Sequence, residues 1–245
     1  MQQAATLSDS QRTQLWKFVR GDTEVAAFET WLYEDDALET ALGNDSYLEL
    51  ISCNFSNSEE THLVKKAIRL VLECDEKCHC APVRNLDAIE MGGDWFFEKF
   101  FSTLIIFAKP SPEKWWLYAS KCSVCGTSWL VAQEERIHDM FYVERMSDVA
   151  VSEVKRGQWP ARFQSYADVL DVGVKLEVRQ AQFIDPMSGA LQVTVEELLQ
   201  ADPMISANNI GTKLGISRDH AERLMTKVKK EGADATAGFI TSKME

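Results

Sequence analysis

The 245-residue chain carries 45% hydrophobic and 26% charged side chains, enough apolar material for a sizeable core and a length that suits two domains or one with an appendage. Its formal charge of −12 works against any role that depends on gripping nucleic-acid phosphates. Residues 1–6 lack the charged and apolar regions of a signal peptide, and the longest apolar stretch, 95–108, is broken by Glu98 and Lys99, so a cytoplasmic protein without membrane association is expected.

The first third is acidic and helical in pattern. Residues 1–75 hold 6 basic and 14 acidic side chains, a net of −8, whereas residues 76–189 hold 13 and 16 and residues 190–245 hold 7 and 8. Residues 9–20 read as a helix with Leu15, Trp16 and Val19 on one side, stopped at Gly21. Asp22 is placed to cap a second helix in which Val25, Phe28, Trp31 and Leu32 recur at helical spacing. A third short helix, 37–42, stops at Gly43, and residues 47–53 fit either a buried strand or a helix. A longer helix over 60–73 is expected to turn Leu63, Ala67, Leu70 and Val71 inward. Glu34, Asp35, Asp36 and Glu39 cluster at a helix start. They are the candidate contacts for a basic partner, against the plainer role of complementing the helix dipole and keeping the surface solvated.

Beyond this region come two cysteine pairs, Cys78 and Cys80 in K-C-H-C-A-P and Cys122 and Cys125 in S-K-C-S-V-C-G-T. Two short knuckles whose sulfurs converge are the usual way to build a tetrahedral thiolate site for zinc. The second knuckle lies between the apolar runs 115–118 and 129–132, which read as strands, and Gly126 supplies the positive φ that a tight knuckle turn requires. Ordinary buried thiols and a redox dithiol are the alternatives, and Cys53 is best read as a plain buried thiol. Cys74 and His79 lie close enough to replace a ligand of the first knuckle. A site closed by four thiolates keeps no open position, so its Zn2+ would be structural.

The aromatic block 95–101 and the run 104–107 are expected to be core, with a helix over 147–156 further on. Glu134, Glu135, His138 and Asp139 would share one helical face and bind a divalent ion or move a proton, but a solvated polar face is the preferred reading. With no phosphate-binding glycine loop, no G-x-S-x-G and no H-E-x-x-H, no enzyme is expected.

Residues 181–192 read as a linker between an acidic α+β domain, 1–180, and a small domain over 193–245. In the latter, Thr194, Ser206 and Ser217 would cap three helices. Gly211 would allow close approach, Gly215 would make the turn, and Ile210, Leu214, Ile216, Ala221 and Leu224 would form the core. The run I-G-T-K-L-G-I-S resembles a helix-turn-helix, in which Arg218, His220, Arg223 and Lys227 would face nucleic acid; protein contact is the competing use of such segments.

Two further stretches carry a resemblance. The pattern F-E-T-W-L-Y-E-D-D-A-L-E-T-A-L-G-N-D-S-Y-L-E-L-I-S, residues 28–52, resembles small bacterial immunity-type proteins of polymorphic and contact-dependent toxin systems. The pattern C-S-V-C-G-T-S-W-L-V-A-Q-E-E-R-I-H-D, residues 122–139, resembles bacterial proteins found in similar company. The resemblance implies a non-enzymatic binding protein that neutralises a basic toxin domain, for which an acidic surface is suited. The helix-turn-helix-like segment departs from that pattern and leaves a DNA-binding regulator with a zinc-binding core as the alternative.

Overall fold

The computed structural model describes residues 7–73, 77–92, 95–178 and 185–241, without the side chains of residues 95, 96 and 232–241. It is an α+β protein, as expected, and it divides into two compact units. The first comprises Met1–Leu86, Glu98–Ile105 and Cys122–Thr127; the second comprises Asp87–Phe97, Ile106–Lys121 and Ser128–Glu245.

The first unit is built on five helices: α1 (Asp9–Arg20), α2 (Val25–Glu34), α3 (Leu38–Leu42), α4 (Asn44–Ile51) and α5 (Ser58–Glu73). Ser8 opens α1 with a reciprocal capping box to Gln11, and Gly21, at φ 78°, closes it in the left-handed conformation. Leu15, Phe18, Phe28, Leu32, Leu50, Val64, Ile68 and Leu72 form one buried cluster, with the Phe18 and Phe28 rings stacked 3.7 Å apart. The undecided stretch 47–53 is mostly helical, in α4.

Two expectations fail here. Asp22 does not cap α2: its carboxylate is held by Arg20 at 2.6 Å, and the residue preceding α2 is Glu24, which makes no side-chain cap. The buried stripe of α5 is Thr61, Val64, Ile68 and Leu72, while Leu63 and Leu70 are 56% and 60% exposed. Apolar residues occur on more than one side of this helix, so two stripes compete and packing against α1 selects the one displaced by a residue.

A five-stranded sheet has the order β1-β5-β4-β3-β2, from β1 (Leu86–Glu90), β2 (Leu104–Ala108), β3 (Leu117–Cys122), β4 (Ser128–Glu134) and β5 (Met140–Arg145). Most of it belongs to the second unit. β3 and β4 run antiparallel with Lys121 opposite Ser128, so the second cysteine pair occupies the turn of this hairpin. β4 and β5 are also antiparallel, with Glu134 opposite Met140. The central strand β4 is buried along nearly its whole length, as expected of a strand covered on both faces. The aromatic block forms a helix, α6 (Trp95–Ser102), in which Phe100 is fully buried, but the run 104–107 is not the core expected of it, since Ile105 and Ile106 of β2 are exposed.

In the second unit α7 (Asp148–Lys155) is capped by Ser147, and α8 (Tyr166–Lys175) is capped by Ser165. Three further helices, α9 (Gly189–Ala201), α10 (Ala207–Leu214) and α11 (Arg218–Thr241), pack on one another. Ser206 and Ser217 cap α10 and α11 as expected, and Gly215 turns at φ 66°. Ile210, Leu214, Ala221 and Leu224 are fully buried. Thr194 is not a cap: α9 begins earlier, at Gly189 with Ser188 as its cap, and the Thr194 hydroxyl donates to the Ala190 carbonyl at 2.8 Å. Residues 189–192 of the expected linker are therefore helical, and residues 181–184 lie outside the described residues. Among the described residues no helix is long and apolar enough to cross a membrane.

Candidate metal centre

The turn between β3 and β4 shapes the second cysteine knuckle. The Cys122 N–H donates to the Thr127 carbonyl at 2.8 Å, and the Gly126 N–H returns to the Cys122 carbonyl at 3.0 Å. Gly126 adopts φ 76°, the conformation expected of it. Thr103 receives the turn from outside: its carbonyl accepts the Ser123 N–H at 2.8 Å, and its hydroxyl lies 3.4 Å from the Cys122 sulfur. The Thr127 hydroxyl stands 3.2 Å from the Cys125 sulfur. Neither threonine stands out in the sequence, where only the glycine advertises the turn.

The first knuckle follows α5. Arg20, at the end of α1, donates through Nη1 to the Ala81 carbonyl at 2.7 Å, and the Val83 N–H donates to the Cys80 carbonyl at 3.3 Å. These bonds hold residues 80–83 against the helical core of the first unit.

The sulfurs of Cys78, Cys80, Cys122 and Cys125 all lie within 4.8 Å of one another. Four thiolates around zinc at a Zn–S distance of about 2.3 Å would stand about 3.8 Å apart, so the set needs only a small contraction to close on an ion. All four are free thiols, as is Cys53, which is half-buried and outside the cluster. His79 is not part of the converging group, and Cys74 lies outside the described residues. Cys78, Cys80 and Cys122 are buried, whereas Cys125 is exposed.

The electrostatics favour a cation. Burial pushes the Cys78 thiol up to about 12, and the neighbouring sulfurs of Cys125 and Cys122 add to the rise. Cys125 moves the other way, to about 4, chiefly because Cys80 donates a hydrogen bond to it, with further help from Thr127. Without an ion, Cys78 thus resists ionisation while Cys125 favours it. A positive ion at the centre of the four sulfurs would favour the Cys78 thiolate that burial opposes.

The other sequence candidates are dispersed. Glu34, Asp36 and Glu39 are exposed, but Asp35 is occupied: Gln11 Nε2 donates to its two oxygens at 3.1 and 3.2 Å and the Ala37 N–H donates at 3.1 Å. In α11, Arg218 pairs with Glu222 at 2.8 Å and Lys227 with Glu231 at 3.8 Å. The His220 ring is engaged by the Pro186 carbonyl, and Arg223 is exposed. Nearby acceptors thus offset three of these four groups.

Of the four residues expected to share a polar face, Glu135 and Asp139 are exposed, but Glu134 and His138 depart from both forms of that expectation. They lie on no helical face, because β4 ends at Glu134 and a turn follows; nor are they solvated, for both are buried. The Glu134 carboxylate accepts backbone N–H groups of Arg136 at 3.1 Å, Ile137 at 2.9 Å and His138, together with the Tyr166 hydroxyl. His138 Nε2 faces the Lys213 carbonyl at 3.3 Å, which can only accept, so Nδ1 receives the Tyr142 hydroxyl at 2.7 Å. Burial holds His138 below the ordinary imidazole range, against the pull of Glu134 and the Lys213 carbonyl, and raises both tyrosines, further raised by Glu134. The result is a neutral imidazole beside a fully hydrogen-bonded carboxylate, closed off from solvent.

Comparison with protein-family models, with curated proteins and with solved structures finds no match to this chain.

Proposed function

We propose that the chain is a non-enzymatic, zinc-stabilised binding protein. Cys78, Cys80, Cys122 and Cys125 hold a structural Zn2+, and the acidic first unit receives a basic protein partner. The convergence of four sulfurs within 4.8 Å carries the metal half of this reading. Four thiolates fill the tetrahedron, leave no position for substrate or water, and make the ion a fold-stabilising element. The partner half rests on charge. The net −8 of residues 1–75 and the exposed Glu34, Asp36 and Glu39 attract a basic surface and speed its encounter. A basic toxin domain, the partner implied by the immunity-type resemblance, has the required chemistry.

Metal analysis of the purified full chain tests the first half: about one zinc per chain is expected, and a metal-free, fully folded protein removes the site. Affinity capture from the native cytoplasm at low and high salt tests the second. A basic protein held at low salt, and lost both at high salt and on Glu34→Lys/Asp36→Lys/Glu39→Lys substitution, is the expected result. Recovery of DNA alone would overturn the binding-protein reading in favour of the nucleic-acid role of α11.

A further inference from the structure

We infer that Cys125 is a site of oxidative modification, and that its reaction with a peroxide releases the ion held by the cysteine cluster. This rests on the metal reading above and extends it to how the site opens.

The four ligands are chemically alike but not equally accessible. Cys78, Cys80 and Cys122 are 5%, 1% and 1% exposed, and Cys122 is fixed as the last residue of β3 by backbone bonds across the turn. Cys125 lies at the tip of that turn, exposed and next to the exposed side chain of Val124, while regular pairing resumes only at Ser128. A peroxide arriving from solvent therefore meets one thiolate before the other three. Its reacting product is not isolated, since three further sulfurs stand within 4.8 Å, near enough for a small backbone adjustment to join two of them.

The chemistry balances with hydrogen peroxide as the oxidant. The Cys125 thiolate attacks one peroxide oxygen; an S–O bond forms, the O–O bond breaks, and the departing hydroxide takes up a proton to leave as water. Sulfur loses two electrons to the peroxide and becomes a sulfenic acid. A neighbouring thiolate then attacks that sulfur, forming an S–S bond and expelling the oxygen as hydroxide, which is protonated to a second water. Two thiolates, one peroxide and two protons give one disulfide and two waters. The ion, left with two thiolates, departs, and the 77–80 segment is no longer tied through it to the 122–127 turn.

The test uses the zinc-loaded full chain, with a chromogenic chelator reporting released metal and differential alkylation with mass spectrometry reporting each cysteine. Before peroxide, Cys125 should alkylate roughly tenfold faster than the three buried cysteines. With about one equivalent of hydrogen peroxide, about one ion per chain should be released and the new disulfide should include Cys125. Reduction with a dithiol in the presence of zinc should restore the bound ion. A loaded protein that keeps its ion through excess peroxide, or one first oxidised at Cys53 or at a buried ligand, overturns the inference and leaves the metal reading intact. A chain that holds no metal before treatment removes both. The mapping uses wild-type protein, so no outcome depends on a variant folding.

Discussion

Glu134 has no exposed surface, yet it is an acid at the end of a buried strand. What makes it tolerable is the turn that follows, whose first N–H groups point back at its oxygens. Replacing Glu134 with Gln would set an amide donor against one of those N–H groups or against Tyr166. We expect a loss of about 2–3 kcal/mol, read as a lowered urea midpoint with an unchanged slope. His138 adds a pH dependence of definite sign. Its folded pKa is depressed by burial, so the unfolded chain takes up the proton first. The contribution is fully present above the unfolded value of about 6.5 and is lost as pH falls from there toward the folded pKa. The urea midpoint of the wild type should therefore drop on acidification from about pH 7.5 to about pH 5.5, and His138→Asn should drop less. Equal drops in the two proteins would refute the assignment.

Elements place these groups, and two glycines show how tightly. Gly173 lies inside α8, where Ala in its place would ordinarily gain up to about 1 kcal/mol. A Cβ here would instead lie well inside van der Waals contact of the Tyr142 hydroxyl and the His138 ring. Overpacking should win, and Gly173→Ala is expected to cost about 1–3 kcal/mol, measured by denaturant titration. A stabilised variant would show that the network relaxes freely. Gly211 in α10 is constrained by backbone instead: its Cβ would meet the Ile216 carbonyl oxygen at 2.8 Å, which moves only with the α10–α11 turn. The role of Gly211 was legible in the sequence because the glycine stands beside a turn signal and two capping serines. The caps of α10 and α11, the strands around Cys122 and Cys125, and the converging thiols were legible for the same reason, since local chemistry announces itself locally. The Glu134 network was not. Tyr142 and Tyr166 are remote from one another in sequence, and only the packing of β5 and α8 on β4 brings their hydroxyls to Glu134 and His138. The buried face of α5 was illegible for a related reason, because periodicity alone does not rank two apolar stripes and tertiary contact does.

For the molecule as a whole, the proposed zinc site would bear most on the first unit, where all four cysteines lie. A structural zinc site contributes on the order of 10 kcal/mol to folding, comparable to the whole stability of a domain. Removing the ion with a chelator under reducing conditions should lower the melting temperature of the first unit and expose its helices to proteolysis, and added zinc should reverse both. A protein whose melting is indifferent to chelation would contradict the structural role. The acidic surface acts over longer range, so association with the proposed basic partner should slow steeply with salt while stability changes little.

For the proposed zinc site, the hairpin turn that carries Cys122 and Cys125 would also set an order of events during synthesis. The first unit is not a continuous stretch of chain: half of its ligands are encoded after most of the strand β3 that belongs to the other unit. The 41 residues between Cys80 and Cys122 must be made, and their ends brought together at an entropic cost of about 4 kcal/mol, before the fourth sulfur can meet the first. The helices of residues 7–73 therefore leave the ribosome well ahead of their clamp. A fragment ending at Leu86 would contain every helix of the acidic core yet no means of closing the site. If the proposed zinc site clamps the first unit, its maturation would wait for the β3–β4 turn to emerge, and nascent chains shorter than this should bind no zinc with high affinity.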